Sequence, residues 1–449
     1  MTIKRYLNKL TPAQIIVLYY FIAVLLSAFL FRLPIALQEG VHLSFMDAIF
    51  TAVSAVSVTG LSVIGITDTF SVPGYFILMF VLQFGGIGVM TLHTFIWLIF
   101  KRKIGFKERR LIMTDQNQGS FAGLVSLLKQ VLIMFVTIEA LGAIILGFYM
   151  TKDYHSVPEA LLQGLFMSIS ATTNAGFDIT GSSLYPYAND YFIQLVNIVL
   201  ILFGSIGYAV LIEVKNYLIR RPQNRPYQFS LYTKLTTSTF FILIALGTVC
   251  ILLLEHHHFL LEKPWHEQFF YALFQSVTTR NAGLATMDVS QFAPPTLFIL
   301  CALMFIGASP SSVGGGIRTT TFAISVLFLF HYARGHQHIK IFKREIHEDD
   351  IKKSVVVTMI ALIVCGLGIL SLSISETFSL TAILFEVCSA FGTTGLSLGI
   401  TSDLSAAGKV VIIILMFIGR IGILSFIFMF GKGKDPDIYR YPKERIIIG

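Results

Sequence analysis

Long apolar runs separated by short polar stretches fill this chain almost from end to end. A helix needs about 20 apolar residues to cross the hydrocarbon core of a bilayer. Runs near that length lie at 13–33, 74–100, 127–149, 191–213, 236–254, 295–307 continuing after an interruption to 330, 354–374 and 409–430. The pattern predicts eight spans with both termini on one side. The run from Ile15 to Phe31 is long for a signal h-region and lacks a small-residue cleavage pattern, so it reads as the first span.

Composition sharpens this reading. Of 449 residues 55% are hydrophobic and only 13% are charged, whereas soluble domains carry about 25% charged residues. A soluble protein is excluded. The net charge of +8 reflects topology: 26 of the 33 Lys and Arg lie in the N-terminal segment, the loops after spans two, four and six, and the C-terminal tail. That bias predicts cytoplasmic termini and contact with anionic membrane lipid, and implies no nucleic-acid partner. The polar stretches near 215–235 and 331–353 are too short to fold alone. Any cytosolic regulatory domain is then expected on a separate chain.

The connections after spans one, three, five and seven repeat one another. They read FTAVSAVSVTGL (50–61), FMSISATTNAGF (166–177), LFQSVTTRNAGL (273–284) and FEVCSAFGTTGL (385–396). Gly60, Gly176, Gly283 and Gly395 recur at spacings of 116, 107 and 112. This predicts an all-α polytopic membrane protein of four pseudo-symmetric span, pore helix, span repeats around one central pore, at 1–110, 111–230, 231–345 and 346–449. The segment before each glycine is too short for a crossing and suits a re-entrant helix.

Non-helical backbone at membrane depth is tolerated where it is buried in protein or lines a watery cavity. Helix C-termini pointing into such a cavity favour a cation. The carbonyls before each glycine would then replace a hydration shell. The candidate K⁺-binding residues are Val58, Thr59 and Gly60; Asn174, Ala175 and Gly176; Asn281, Ala282 and Gly283; Thr393, Thr394 and Gly395. Each glycine alone would equally suit helix packing.

About 25 to 29 residues further on, the second helices read FGGIG, FGSIG, IGASP and IGRIG, which aligns Gly86, Ser205, Ala308 and Arg420. A cation at membrane depth is costly unless it faces water or a partner, so Arg420 reads as an electrostatic barrier beneath the filter or as a helix-fastening bridge. The third unit breaks its second helix with Gly307, Ala308, Ser309, Pro310, Ser311, Ser312, Val313, Gly314, Gly315 and Gly316. That run is either a mobile plug or a static kink. It lacks the Lys-Ser/Thr of a phosphate-binding loop. Arg280, beside the third turn, would oppose a cation if aimed at the axis, and an ion pair with Glu386 is one way to turn it away.

The four-unit plan, the turns VTGL, NAGF, NAGL and TTGL, and these second-helix elements cover essentially the whole chain. Together they resemble the Trk/Ktr/HKT superfamily of potassium transporters, most closely the membrane subunits of bacterial Ktr systems. The resemblance implies K⁺ uptake across the bacterial cytoplasmic membrane and an intramembrane gating loop at 307–316. It further implies a homodimer mounted on a cytosolic ring of nucleotide-binding RCK-type subunits, and Na⁺ as a possible activator. The nucleotide would belong to the partner. Glycine at the first filter position, Gly60, marks K⁺-selective members. One glycine per repeat, against two in tetrameric K⁺ channels, predicts looser selectivity.

Other signals are weaker. Cys250, Cys301, Cys365 and Cys388 lack disulfide or zinc spacing. His256, His257 and His258 cannot all face one ion, and His266-Glu267 lacks the second histidine of a zinc protease motif. His347 to Asp350 suits a helix start. The apolar end of the tail, Ile446 to Ile448, reads as a docking segment. No catalysis is expected. The alternative is an alternating-access K⁺ symporter coupled to Na⁺ or H⁺, for which Glu139 and Glu213 are the candidate carboxylates.

Overall fold

The computed structural model describes residues 10–88, 124–219, 227–336 and 338–430, with residues 442 and 444. The lower part of the predicted second span, most of the basic loop after it, and Ile446 to Ile448 lie outside the described residues.

Among the described residues four single helices are long and apolar enough to cross a membrane: α1 (Pro12–Phe31), α4 (Leu124–Met150), α8 (Leu231–Glu255) and α12 (Glu348–Ser375). Each is followed by a shorter helix: α2 (Phe45–Ser57), α5 (Val157–Thr173), α9 (Trp265–Thr278) and α13 (Leu380–Gly392). Helix starts are written into the sequence. Thr11 forms a capping box with Gln14, and Ser44, Ser156, Ser230 and Ser379 cap with their hydroxyls. Glu348, Asp349 and Asp350 fill the first turn of α12, where the dipole favours acids.

The second helices depart from the sequence expectation. Only one interruption was predicted, in the third unit, where α10 (Pro294–Ile306) and α11 (Thr319–Ala333) are indeed separate. The run at 191–213, however, is α6 (Tyr191–Ser205) and α7 (Tyr208–Ile219), bent by 104°. The run at 409–430 is α14 (Ala406–Ile421) and α15 (Ile423–Phe430). In the first unit α3 (Val72–Ile87) also ends on a glycine, Gly88. Gly88, Gly207 and Gly422 have φ of 93°, 101° and 87°, a conformation that ends an α-helix and suits glycine.

Packing joins the units head to tail. Each long helix lies against its own short helix, in the pairs α1–α2, α4–α5, α8–α9 and α12–α13. Each second helix reaches the next unit's short helix: α3–α5, α6–α9, α10–α13 and, closing the circle, α14–α2. Lys409 of α14 and Asp47 of α2 add an ion pair at 2.8 Å to that closure. The outward faces are apolar, as with Ile242, Leu246, Val249 and Leu253 on α8. Such a stripe on a spanning helix suits lipid. Among the described residues the only sheet is a two-residue hairpin, β1 (Lys340–Ile341) with β2 (Arg344–Glu345), a small addition to the expected all-helical fold.

Candidate functional site: a ring of glycine turns and the loop against it

The four short helices run into the four glycine turns. Three leave through a left-handed residue, Val58 (φ 58°), Asn174 (φ 54°) and Thr393 (φ 52°); a β-branched residue such as Val58 rarely accepts this. In the third turn Thr279 stays right-handed and Asn281 takes φ 83°. The residue before each glycine then returns its amide to its own helix. Thr59 donates to Ser54 O, Ala175 to Ser170 O, Ala282 to Thr278 O and Thr394 to Ser389 O, each at 2.8 Å.

The glycines meet in cyclic order. A Cβ on Gly60 would stand 2.5 Å from the Ala175 carbonyl oxygen, and one on Gly176 would stand 2.9 Å from that of Ala282. One on Gly283 would strike Thr394 O, and one on Gly395 would strike Thr59 O. First turn touches second, second touches third, third touches fourth, and fourth touches first. Only glycine lets four backbones approach so closely at φ of 92°, 69°, 70° and 90°.

Four hydroxyls that sequence reasoning passed over fix these turns. Ser54 Oγ accepts from Gly60 N and Ser389 Oγ from Gly395 N, both at 3.1 Å. Ser170 Oγ donates to Phe177 O at 2.6 Å, and Thr278 Oγ1 donates to Leu284 O at 2.5 Å. The signal was visible as serine six positions before the glycine in units one, two and four.

The run 307–316 is irregular backbone packed against two of these turns. A Cβ on Gly314 would meet the Asn281 side chain, and one on Gly315 the Thr393 side chain. Asn281 Nδ2 in turn donates to Thr393 Oγ1 at 2.9 Å. The neck of the loop closes through Ile317 N to Phe305 O at 3.2 Å and Arg318 N to Ile306 O at 2.9 Å. Arg318 also donates to Gly314 O. The far side is held by the bent helix pair: Val313 N donates to Gly204 O, Ser309 N to Ser205 O, and Tyr208 N to Ser311 O, at 3.1, 3.1 and 2.7 Å. Tyr232 Oη of α8 donates to Pro310 O at 2.7 Å.

Arg280 is fully buried and turned away from the ring, without the Glu386 ion pair. It donates to Gly307 O at 3.2 Å and Leu303 O at 2.8 Å, capping the C-terminus of α10 beside the loop, where a cation suits the helix dipole. Glu386 instead accepts from Ser397 Oγ at 2.8 Å and from Thr401 Oγ1.

Of the aligned residues Gly86, Ser205, Ala308 and Arg420, the first and last line one cavity of about 150 Å³. Tyr20, Tyr208, Ser311 and Arg318 line it too. Ser205 and Ala308 are fully buried in the packing around the loop. Arg420 donates to Gly85 O and, through Nε, to Tyr20 Oη at 3.0 Å. The aligned glycines one position earlier do a shared job. Gly85, Gly204 and Gly419 each press on a last-turn carbonyl of their own short helix, whereas Gly307 presses on Gly315 O of the loop.

The two candidate carboxylates differ. Glu213 accepts from Ser230 N at 2.7 Å and Ser230 Oγ at 2.8 Å, as a cap for α8. Buried Glu139 accepts from Gln83 at 2.7 Å, while its Oε1 and that of Gln83 are buried without hydrogen bonds. Outside the spans, Lys152, just after α4, pairs at 2.8 Å with Asp190, the cap of α6. Partial burial raises the Asp190 pKa, but Lys152, the Ile193 amide and Tyr149 outweigh it and hold the carboxyl below its usual range. Among the described residues no group of three or more metal-ligating side chains occurs.

A closed ring of backbone turns inside a helical, apolar-faced chain is the frame of a membrane transport protein. The family model for the TrkH cation transport proteins matches residues 7–439, and the chain belongs to that family. It is 57% identical over 443 residues to the Ktr system potassium uptake protein D of Bacillus subtilis (strain 168), covering 99% of this chain and 98% of the relative. It is 36% identical over 449 residues to the Ktr system potassium uptake protein B of the same organism, covering 98% and 97%. The crystal structure of the potassium transporter TrkH from Vibrio parahaemolyticus matches with a TM-score of 0.74 at 19% identity, over 93% of this chain and 84% of that one, a likeness of fold.

Proposed function

We propose that this chain is the potassium-conducting membrane subunit of a Ktr-type uptake system, passing K⁺ through one pore whose filter is the glycine ring. The observation that carries the reading is the cyclic approach of Gly60, Gly176, Gly283 and Gly395, in which the carbonyl oxygens of Ala175, Ala282, Thr394 and Thr59 each lie against a neighbouring glycine; in this reading those carbonyls are the groups at the constriction. Backbone carbonyls can replace the hydration shell of a monovalent cation. The C-termini of four short helices add partial negative charge. The two Ktr proteins it resembles are named as potassium uptake proteins, and K⁺ is taken as the transported ion. A homodimer on a cytosolic nucleotide-binding ring of RCK-type subunits belongs to the same proposal, with Na⁺ as an activator.

In this reading the loop at 307–316 is the gate and Arg420 sets an electrostatic barrier in the cavity beyond it. Arg420→Ala is then expected to raise Rb⁺ uptake several-fold in proteoliposomes. An unchanged rate would make Arg420 a fastener of α14 to α3.

Glu139, with one buried oxygen unpaired, favours a second reading, a K⁺ carrier coupled to Na⁺ or H⁺. One experiment separates the two. Rb⁺ uptake into proteoliposomes holding the purified chain is expected to follow an imposed voltage without any other ion gradient. Strict dependence on a Na⁺ or H⁺ gradient would establish the coupled carrier instead.

A further inference from the structure

We propose that Tyr20 positions Arg420 and ties it to the first glycine turn, so that a residue on a lipid-facing helix sets the strength of the barrier without touching the ion. The inference rests on the barrier reading of Arg420.

Much of α1 faces outward, with Phe21, Leu25 and Phe29 exposed. Tyr20 is the reverse, only 5% exposed, and a phenol that deep needs partners for its hydroxyl. It has them on two other elements. Its Oη accepts from Arg420 Nε at 3.0 Å and donates to Val56 O at 2.7 Å.

Val56 lies in the last turn of α2, two residues before the left-handed Val58. Carbonyls in that turn have no donor within the helix, so Tyr20 supplies one. The ring also stands edge-on to Phe417, 6.0 Å away on α14 and one turn before Arg420. One side chain thus joins the end of the first short helix to the arginine of the fourth unit.

The second hold on the guanidinium is Gly85 O. A planar fork bonded at two places keeps its charge in one position. Without the Tyr20 bond the head is held at Gly85 O alone and swings among several positions, so its charge is no longer fixed at one point and the field at any one point of the ion path weakens.

The test uses the full chain in proteoliposomes as wild type, Tyr20→Phe, Arg420→Ala and the double variant. Phenylalanine keeps the ring and its Phe417 contact and deletes both hydrogen bonds. Rb⁺ uptake is read together with block by Ba²⁺ on the cytosolic side, because a divalent cation feels the barrier doubly. Arg420→Ala should tighten block about tenfold and Tyr20→Phe by about two- to fivefold, with uptake rising in parallel. The double variant should match Arg420→Ala, with K⁺/Na⁺ preference unchanged by Tyr20→Phe.

Full additivity in the double variant, or unaltered block in Tyr20→Phe, would overturn the inference while leaving the barrier intact. A changed K⁺/Na⁺ preference with unaltered block would overturn it too, by making Tyr20 a support of the filter turn. An inert Arg420→Ala would remove the barrier reading and this inference with it.

Discussion

Gly60→Ser should lower the preference for K⁺ over Na⁺ at least tenfold, the first of the two largest effects expected. Two penalties coincide at that position. The backbone has φ of 92°, which costs a residue with a Cβ about 1–2 kcal/mol. The new Cβ would also stand 2.5 Å from Ala175 O, so that carbonyl has to move. Because Ala175 O belongs to the same ring, the displacement alters the spacing of the groups proposed to coordinate the ion. A loss of about 1.4 kcal/mol in differential binding is a factor of ten.

The measurement is Rb⁺ against Na⁺ uptake in proteoliposomes at fixed voltage. Gly399→Ser is the control, since Gly399 has φ of 90° and nothing within 4 Å of a built Cβ. It should carry the backbone strain and leave selectivity alone. Equal loss in both variants would show that strain rather than ring geometry matters, and no loss in Gly60→Ser would remove the filter from this site.

How far the chain could be read beforehand follows from what each feature depends on. The four long helices and the short ones were legible because apolar run length is a local property, with serine caps marking many starts. The glycine turns stood out because four copies of one motif recur in one chain. The breaks at Gly207 and Gly422 were missed, although FGSIG and IGRIG were aligned with the interrupted unit. Glycine within an apolar run does not by itself distinguish packing from termination, and the positive φ that decides it is a matter of tertiary contact. Arg280 does turn away from the ring, but the partner offered for it was wrong for the same reason. Sequence offered Glu386 as an opposite charge, whereas the guanidinium found the carbonyls that the break after Ile306 leaves open. Tyr20 carried no motif and became visible only when α1, α2 and α14 were brought together.

Removing Ser311 to Gly316 should raise Rb⁺ uptake tenfold or more, the second large effect. The segment packs on Asn281 and Thr393, so in the proposed pore it lies across the exit from the filter. Its excision is sterically mild, because the neck flanking it is already closed by bonds from Ile317 N to Phe305 O and from Arg318 N to Ile306 O. What disappears is a set of cross-links to the second unit: Val313 N to Gly204 O, and Tyr208 N to Ser311 O. A net hydrogen bond contributes about 0.5–1.5 kcal/mol. Deleting one with Tyr232→Phe, which frees Pro310 O, should therefore bias a two-state loop by no more than about tenfold and give a smaller rise than the deletion. That graded order, wild type below Tyr232→Phe below the deletion, is what a mobile gate requires. A static kink predicts a different series, in which Tyr232→Phe lowers thermal stability in detergent while both variants transport at the wild-type rate. The cross-links from Gly204, Ser205 and Tyr208 explain why a gate in the third unit would respond to the second. The helix pair that holds the loop is bent by 104° at Ile206 and Gly207, and a change in that bend would carry Pro310 and Ser311 with it.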